Sequence, residues 1–221
     1  MRSSRISRLL ACAALAVAVT AGGSCVSVGE GSGSARSQQL FARDCWDDPF
    51  DLRPDFFAAD PFRNAMHMRI QRGSDLLEFS DGVVILIDDI EGVRGRLGEA
   101  IDVTLPQGVA PPGVAVGSLC DGSPCASPVH LALYLLASCH SQNVVLYATE
   151  GTVTFHELFS GDPNEKDAAE KLIEGEFDVT VGDPRDIVLV GDDVGTIPNQ
   201  SQLTGTFRFY FQRGQPAQPF P

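Results

Sequence analysis

Apolar residues recur at every second position over much of this chain. Met66, Met68 and Ile70 alternate with His67 and Arg69, and Ile101, Val103 and Leu105 alternate with Asp102 and Thr104. A period of two places those side chains on one dry face of a pleated strand. Val83 to Ile87 is an unbroken apolar run, as expected of a strand buried on both faces. Val129 to Leu136, Asn143 to Ala148 and Gly151 to Phe155 supply three more strands. Ser127-Pro128 ahead of the first of these could start a helix, but Val129, Leu131, Leu133 and Leu135 fall on one side of a strand.

A near-repeat adds to this pattern. Ile173, Gly175, Phe177, Val179 and Val181 match Leu203, Gly205, Phe207, Phe209 and Phe211 position by position. Both segments predict strands with the apolar residues on one face. The shared glycine predicts a bulge or the close approach of a large neighbour. Turn signals and a short strand candidate, Ile187 to Val190, lie between the copies and predict an antiparallel meander. Asn164 to Leu172 is the one helical pattern, at most two turns on the surface.

Other segments read differently. Ser27 to Gln39 is dominated by Gly and Ser and predicts a flexible linker. Leu40 to Arg63 mixes Phe41, Trp46, Phe50, Phe56, Phe57 and Phe62 with acids and three prolines. Those prolines forbid a long helix or a central strand. The expectation is irregular structure, with one turn of helix near Phe56 and aromatics plugging the core. The tail after Arg213 carries three further prolines and predicts extended chain. The fold class expected is therefore all-β and mainly antiparallel: one β-sandwich or barrel-like domain with a short surface helix.

The first residues have another purpose. MRSSRISR carries Arg2, Arg5 and Arg8 and no acid, Leu9 to Val19 is apolar, and Thr20 to Ser24 are small. These are the parts of an export signal, and the apolar run is shorter than the ~20 residues a membrane-spanning helix needs. Ala21-Gly22-Gly23-Ser24-Cys25 resembles the lipobox of bacterial lipoproteins, although Gly22 stands where a Leu is common. The resemblance implies cleavage before Cys25, lipid on its sulfur, and a membrane partner. Val26 stands where an inner-membrane retention signal would place Asp, which implies the outer membrane and a periplasmic or surface address. The alternative is ordinary cleavage after Ala21 and free secretion. The expected organisation is a signal peptide over 1–24, a lipid-tether linker over 25–39 and the β-domain over 40–221.

Cysteine parity bears on the same question. Cys12 leaves with the signal, so lipidation of Cys25 leaves Cys45, Cys120, Cys125 and Cys139. Four can pair fully in an oxidising compartment, whereas five leave a free thiol. Three pairings are open. The favoured one joins Cys120 to Cys125 across a short loop and Cys45 to Cys139 across a long one. The long bridge would contribute roughly 4–5 kcal/mol by loop entropy.

The net charge is −13, and loss of the three signal arginines takes it to −16. That acidity excludes a nucleic-acid partner. No Ser stands in G-x-S-x-G, no His in H-E-x-x-H, and no glycine fingerprint links strand to helix, so no cofactor is implied. His67, His130, His140 and His156 read as ordinary polar positions. The acids that punctuate strand ends are Asp88, Asp89, Asp162, Asp192 and Asp193. Each reads as a solvated turn, and two clusters meeting at one end of the domain would suit calcium or a hydrolytic pair. The functional expectation is a membrane-tethered, non-catalytic binding or structural domain with a protein or glycan partner. The alternative is a calcium-dependent binder or hydrolase that uses those acidic loops.

Overall fold

The computed structural model describes residues 31–73, 80–106, 109, 119–120, 123–124, 127–189 and 195–213. In chain order the elements are β1 (Gly31–Ala42), β2 (Trp46–Leu52), β3 (Phe56–Phe62), β4 (Ala65–Gln71), β5 (Asp81–Ile87), α1 (Ile90–Arg94) and β6 (Ala100–Asp102). There follow β7 (Leu119–Cys120), β8 (Ser123–Pro124), β9 (Val129–Leu135), β10 (Val144–Glu157), β11 (Leu172–Gly182), β12 (Val188–Leu189), β13 (Gly195–Thr196) and β14 (Ser201–Tyr210). One sheet runs β2-β1-β14-β11-β10-β9-β5-β4-β3, with β6 also paired to β10. β7 with β8 and β12 with β13 form two small ladders apart from it.

The sheet curls until its concave face meets itself. Phe57 on edge strand β3 packs 5.6 Å, centroid to centroid, from Phe209 on β14, although five strands lie between them in the pairing order. Around that contact Phe155 meets Phe207 edge to face and Phe159 stacks on Phe211 at 4.2 Å. Aromatic pairs of this kind add to the burial of their own area. Of the two β architectures expected, this is the barrel-like one. The two edge strands β2 and β3 are joined by Arg53-Pro54-Asp55 alone, so the chain itself bridges the opening of the curl.

The near-repeat forms neighbouring strands. β11 and β14 pair directly, with Gly175 opposite Phe207 and Phe177 opposite Gly205. Each glycine thus faces the other copy's phenylalanine. A Cβ on Gly175 would lie 2.7 Å from Phe207 Cζ, and one on Gly205 would lie 2.7 Å from Phe177 Cε1. The repeat therefore encodes two reciprocal ring-over-glycine contacts. The short strand foreseen between the copies is Val188–Leu189, which pairs with Gly195–Thr196 rather than with the main sheet.

Three expectations need correction. Residues 31–39, read as linker, form most of strand β1, which lies between β2 and β14. The composition that suggests flexibility has a packing cause: a Cβ on Gly31 would sit 2.6 Å from the Phe57 ring. Small inward residues (Gly31, Gly33, Ala35, Ser37) let the curled sheet close on that ring. Second, Trp46–Leu52 and Phe56–Phe62 are strands, not irregular chain or a helical turn. Pro49 and Pro61 are accommodated because both strands are edges, where a missing N–H loses no ladder bond. Phe50, Phe56 and Phe57 are core, as expected, whereas Phe62 is 69% exposed. Third, only Ala169–Lys171 of the expected surface helix is helical, as a single 3-10 turn. The one α-helix among the described residues is α1, which drops Ile90 and Val93 into the core. The strand expected from Ile101 to Leu105 shortens to Ala100–Asp102.

Candidate ligand-binding surfaces

The cysteines bear on the compartment. Cys45, in the β1–β2 turn, and Cys139, in the β9–β10 turn, form a disulfide with their Cα atoms 5.8 Å apart. Gln142 Nε2 donates to Asp44 O at 3.0 Å beside it, so the two turns are also joined by a hydrogen bond. This is the long bridge foreseen. Cys120 ends β7, while Cys125 and Cys25 lie outside the described residues, as do Asp192 and Asp193.

The remaining acidic candidates have local tasks. Asp89 caps α1: its Oδ1 accepts from Gly92 N at 3.0 Å and from Asn64 Nδ2 at 2.7 Å. Those bonds hold its carboxyl below the usual range. Asp88 Oδ2 stands 3.3 Å from His130 Nε2, and His130 Nδ1 is 2.7 Å from Thr104 O. Asp162 closes its own turn by accepting from Asn164 N at 2.8 Å. Gly161 approaches Ile90, so the Asp162 turn and the start of α1 are neighbours. Even so, the described residues contain no group of three His, Cys, Asp or Glu able to hold a metal ion.

On the outer face of β1, β14, β11 and β10 the alternation leaves polar rows. Ser34, Thr206, Glu176 and Thr154 line up across the four strands, and Arg36, Thr204, Asp178 and Thr152 form the next row. At the β2 edge a groove opens, lined by Arg36, Gln38, Gln39, Asp47, Gln200 and Gln202 among others. A bulge makes it. Ser37 pairs with Phe50 and Leu40 with Asp48, so Gln38 and Gln39 together face the single residue Pro49. Both glutamines are exposed as a result. Gln39 Nε2 donates to Asp47 at 2.6 Å, Gln202 Nε2 to Asp178 at 2.9 Å, and Arg36 Nε to Asp51 at 3.0 Å. The Arg36 hydrogen bond holds the Asp51 carboxyl low. Amides and carboxylates fixed in this way present both donors and acceptors to a ligand.

The other half of the sheet has a different outer face. Here Phe56, Gln71, Gly82 and Tyr134 form one cross-strand row, and Ala58, Arg69, Val84 and Ala132 the next. All are buried. A Cβ on Gly82 would lie 2.5 Å from Tyr134 Cζ, so the tyrosine ring lies across the bare glycine. Its hydroxyl donates to Gln71 Oε1, which also accepts from Ser80 Oγ at 3.3 Å, and Gln71 Nε2 donates to Gly73 O. Burial pushes the Tyr134 hydroxyl far above its usual range. Asp81 is spoken for by Ala137 N, Ser138 N and Ser138 Oγ.

Arg69 is the exception in this region. It is 0% exposed, its guanidinium carbon sits 4.5 Å from the centre of the Phe56 ring, and burial draws its pKa down. None of Nε, Nη1 and Nη2 has a hydrogen-bond partner among the described residues. Sequence reading missed it, because alternation within Met66 to Ile70 puts Arg69 on the nominally wet face. The available signal was the neighbouring run Val83 to Ile87: a strand buried on both faces needs neighbours that share its second dry face.

Comparison of the chain with family models, with curated proteins and with solved structures finds no match.

Proposed function

We propose that this chain is an exported, lipid-tethered domain that binds a glycan without transforming it, using the amide-rich groove beside β2. The observation that carries the exported address is the Cys45–Cys139 disulfide, since such bridges persist in oxidising compartments. The N-terminal residues support the tether: an export-signal pattern followed by Cys25 in a lipobox-like setting. Strand β1 begins at Gly31, so five residues separate it from the lipidated cysteine. They reach at most about 20 Å when fully extended. The domain therefore rides close to the bilayer surface rather than on a long leash.

The groove's chemistry supports a glycan over a protein partner. Its lining is rich in side-chain amides and acids, which pair with sugar hydroxyls through several directed bonds. Among the described residues the large exposed apolar side chains (Phe62, Leu97, Val188 and Leu189) lie elsewhere, and the groove's own apolar lining is Phe41, Pro49 and Phe50, with Phe50 buried, which leaves a small apolar floor for a sugar ring beside the amides. The described strand-end acids are engaged in a cap, a turn and a histidine contact, which favours binding over catalysis.

The test of the address is the intact mass of the mature protein in membrane and soluble fractions of a bacterial host. The expected species starts at Cys25 with a lipid-sized increment. An unmodified soluble chain starting at Gly22 would overturn the tether. The test of the groove is a glycan array read with wild type and with a Gln39→Ala, Gln202→Ala variant. Retained binding by the variant, or no glycan bound by either, refutes the glycan reading.

A further inference from the structure

We propose that Arg69 is the recognition residue of a second site, on the buried outer face of β4, and that it takes a carboxylate. This rests on geometry separate from the groove. A guanidinium is always charged, and a charge removed from water must find a counter-charge or hydrogen bonds. Arg69 finds neither among the described residues. Its nearest polar neighbours are already committed: Gln71 Oε1 accepts from Tyr134 and Ser80, and Gln71 Nε2 donates to Gly73 O. Asp81, the acid at the start of the neighbouring strand β5, holds the turn after β9 with both oxygens.

The way the guanidinium is held points to the class of ligand. Phe56 covers one flat face, which consumes no N–H group. The in-plane donors stay available as a fork, and a fork of that shape matches the two oxygens of a carboxylate. Phe56, Ala58, Val84 and Ala132 make the surroundings apolar. An apolar wall around a single fixed cation selects a carboxylate on a hydrocarbon body over a heavily hydrated inorganic anion. Because Arg69 is fully enclosed, the ligand enters by local opening, and equilibration is slow.

The experiment compares thermal unfolding of the full mature chain after overnight incubation in sodium octanoate, sodium acetate or sodium chloride at matched ionic strength. Octanoate stays below its micellar range. At hundredfold excess over Kd, wild type should gain about 5 °C or more in octanoate over chloride. Acetate should act in the same direction at higher concentration. Arg69→Met keeps the length and removes the charge. It should lose the octanoate shift while melting in chloride no lower than wild type, since no ion pair is broken. Arg69→Lys keeps a charge without the fork, and should weaken octanoate binding at least tenfold; it also serves if the Met variant fails to fold. Equal shifts in all three salts, or an octanoate shift that survives in Arg69→Met, overturns the proposal. So does an Arg69→Met variant that melts below wild type in chloride and is matched in that loss by Asp75→Asn or Glu78→Gln, two acids of the segment between β4 and β5 in the sequence, because the chain would then supply the carboxylate itself.

Discussion

The reciprocal contacts between β11 and β14 make a quantitative prediction. In Gly205→Ala the new Cβ falls 2.7 Å from Phe177 Cε1, against an ordinary contact of 3.4–4 Å, and closer still to the Ser34 carbonyl on β1. Phe177 is almost wholly buried, so its ring has no open space to rotate into. Both the ring and the β1–β14 pairing must give way, by roughly 1 Å, and overpacking of this kind costs about 1–3 kcal/mol. Reduced freedom of the unfolded chain returns about 0.4–1 kcal/mol. The net loss is about 1–2 kcal/mol, or about 2–8 °C in Tm for a chain of this size. Urea unfolding of Gly205→Ala, Phe177→Leu and the double variant measures the contact itself. In the double variant the smaller side chain makes room for the methyl, so the two losses should combine to at least about 0.5 kcal/mol less than their sum. Strict additivity, or a Gly205→Ala protein as stable as wild type, would refute the ring-over-glycine account. Gly175→Ala with Phe207→Leu should behave in the same way.

Other expectations are as direct. Replacing Cys45 and Cys139 by serine frees a loop spanning 94 residues and should cost roughly 4–5 kcal/mol in urea unfolding; a loss under about 1 kcal/mol would show that the bridge is not a structural staple. Tyr134 has a folded pKa raised by burial, so its contribution is complete below about pH 10, where the unfolded chain starts to ionise, and is lost as pH climbs toward the folded value. Tyr134→Phe should therefore flatten the alkaline limb of Tm against pH, and an unchanged limb would contradict the burial. Asp89 has a depressed folded pKa, with the Gly92 N–H bond as the largest cause, so its contribution is present above about pH 4 and lost as pH falls through the folded value. An NMR titration of its carboxyl should place it below free aspartate, and Asn64→Ala should raise it; no movement in that variant would remove Asn64 from the cap.

The regular half of the fold was legible from periodicity because burial there follows the two-residue pleat. Ile173 to Val181 and Leu203 to Phe211 are strands for the reason their pattern implies, and their matched glycines mark close approach. The edges were illegible because proline and acid are signs of loop and also devices of an edge strand. Pro49, Pro61 and Asp60 are permitted only by position in the sheet, which no local pattern encodes. Gly31 to Ser37 misled for a related reason: small residues that fit under Phe57 have the composition of a linker. Helix α1 left a signal that reading Asp88 and Asp89 as strand-end acids concealed. Asp89 is an N-cap ahead of Ile90 and Val93, which are spaced for one helical face. The groove depends on a bulge, and bulges follow from pairing rather than from sequence. Arg69 required knowing that the second face of its strand is dry.

The seating of β1 next to β14 has a consequence for how the molecule assembles. Ser34 and Thr206 are neighbours across 172 residues of sequence, and β2 and β3, consecutive in the chain, end on opposite edges of the sheet. Such distant partners make folding slow, because closure entropy must be met before any long-range contact repays it. A chain that has emerged only as far as β11 has no seat for its first two strands. Closure waits for the last segment to arrive, and until then the polypeptide stays threadable, which is the state that the proposed export would require.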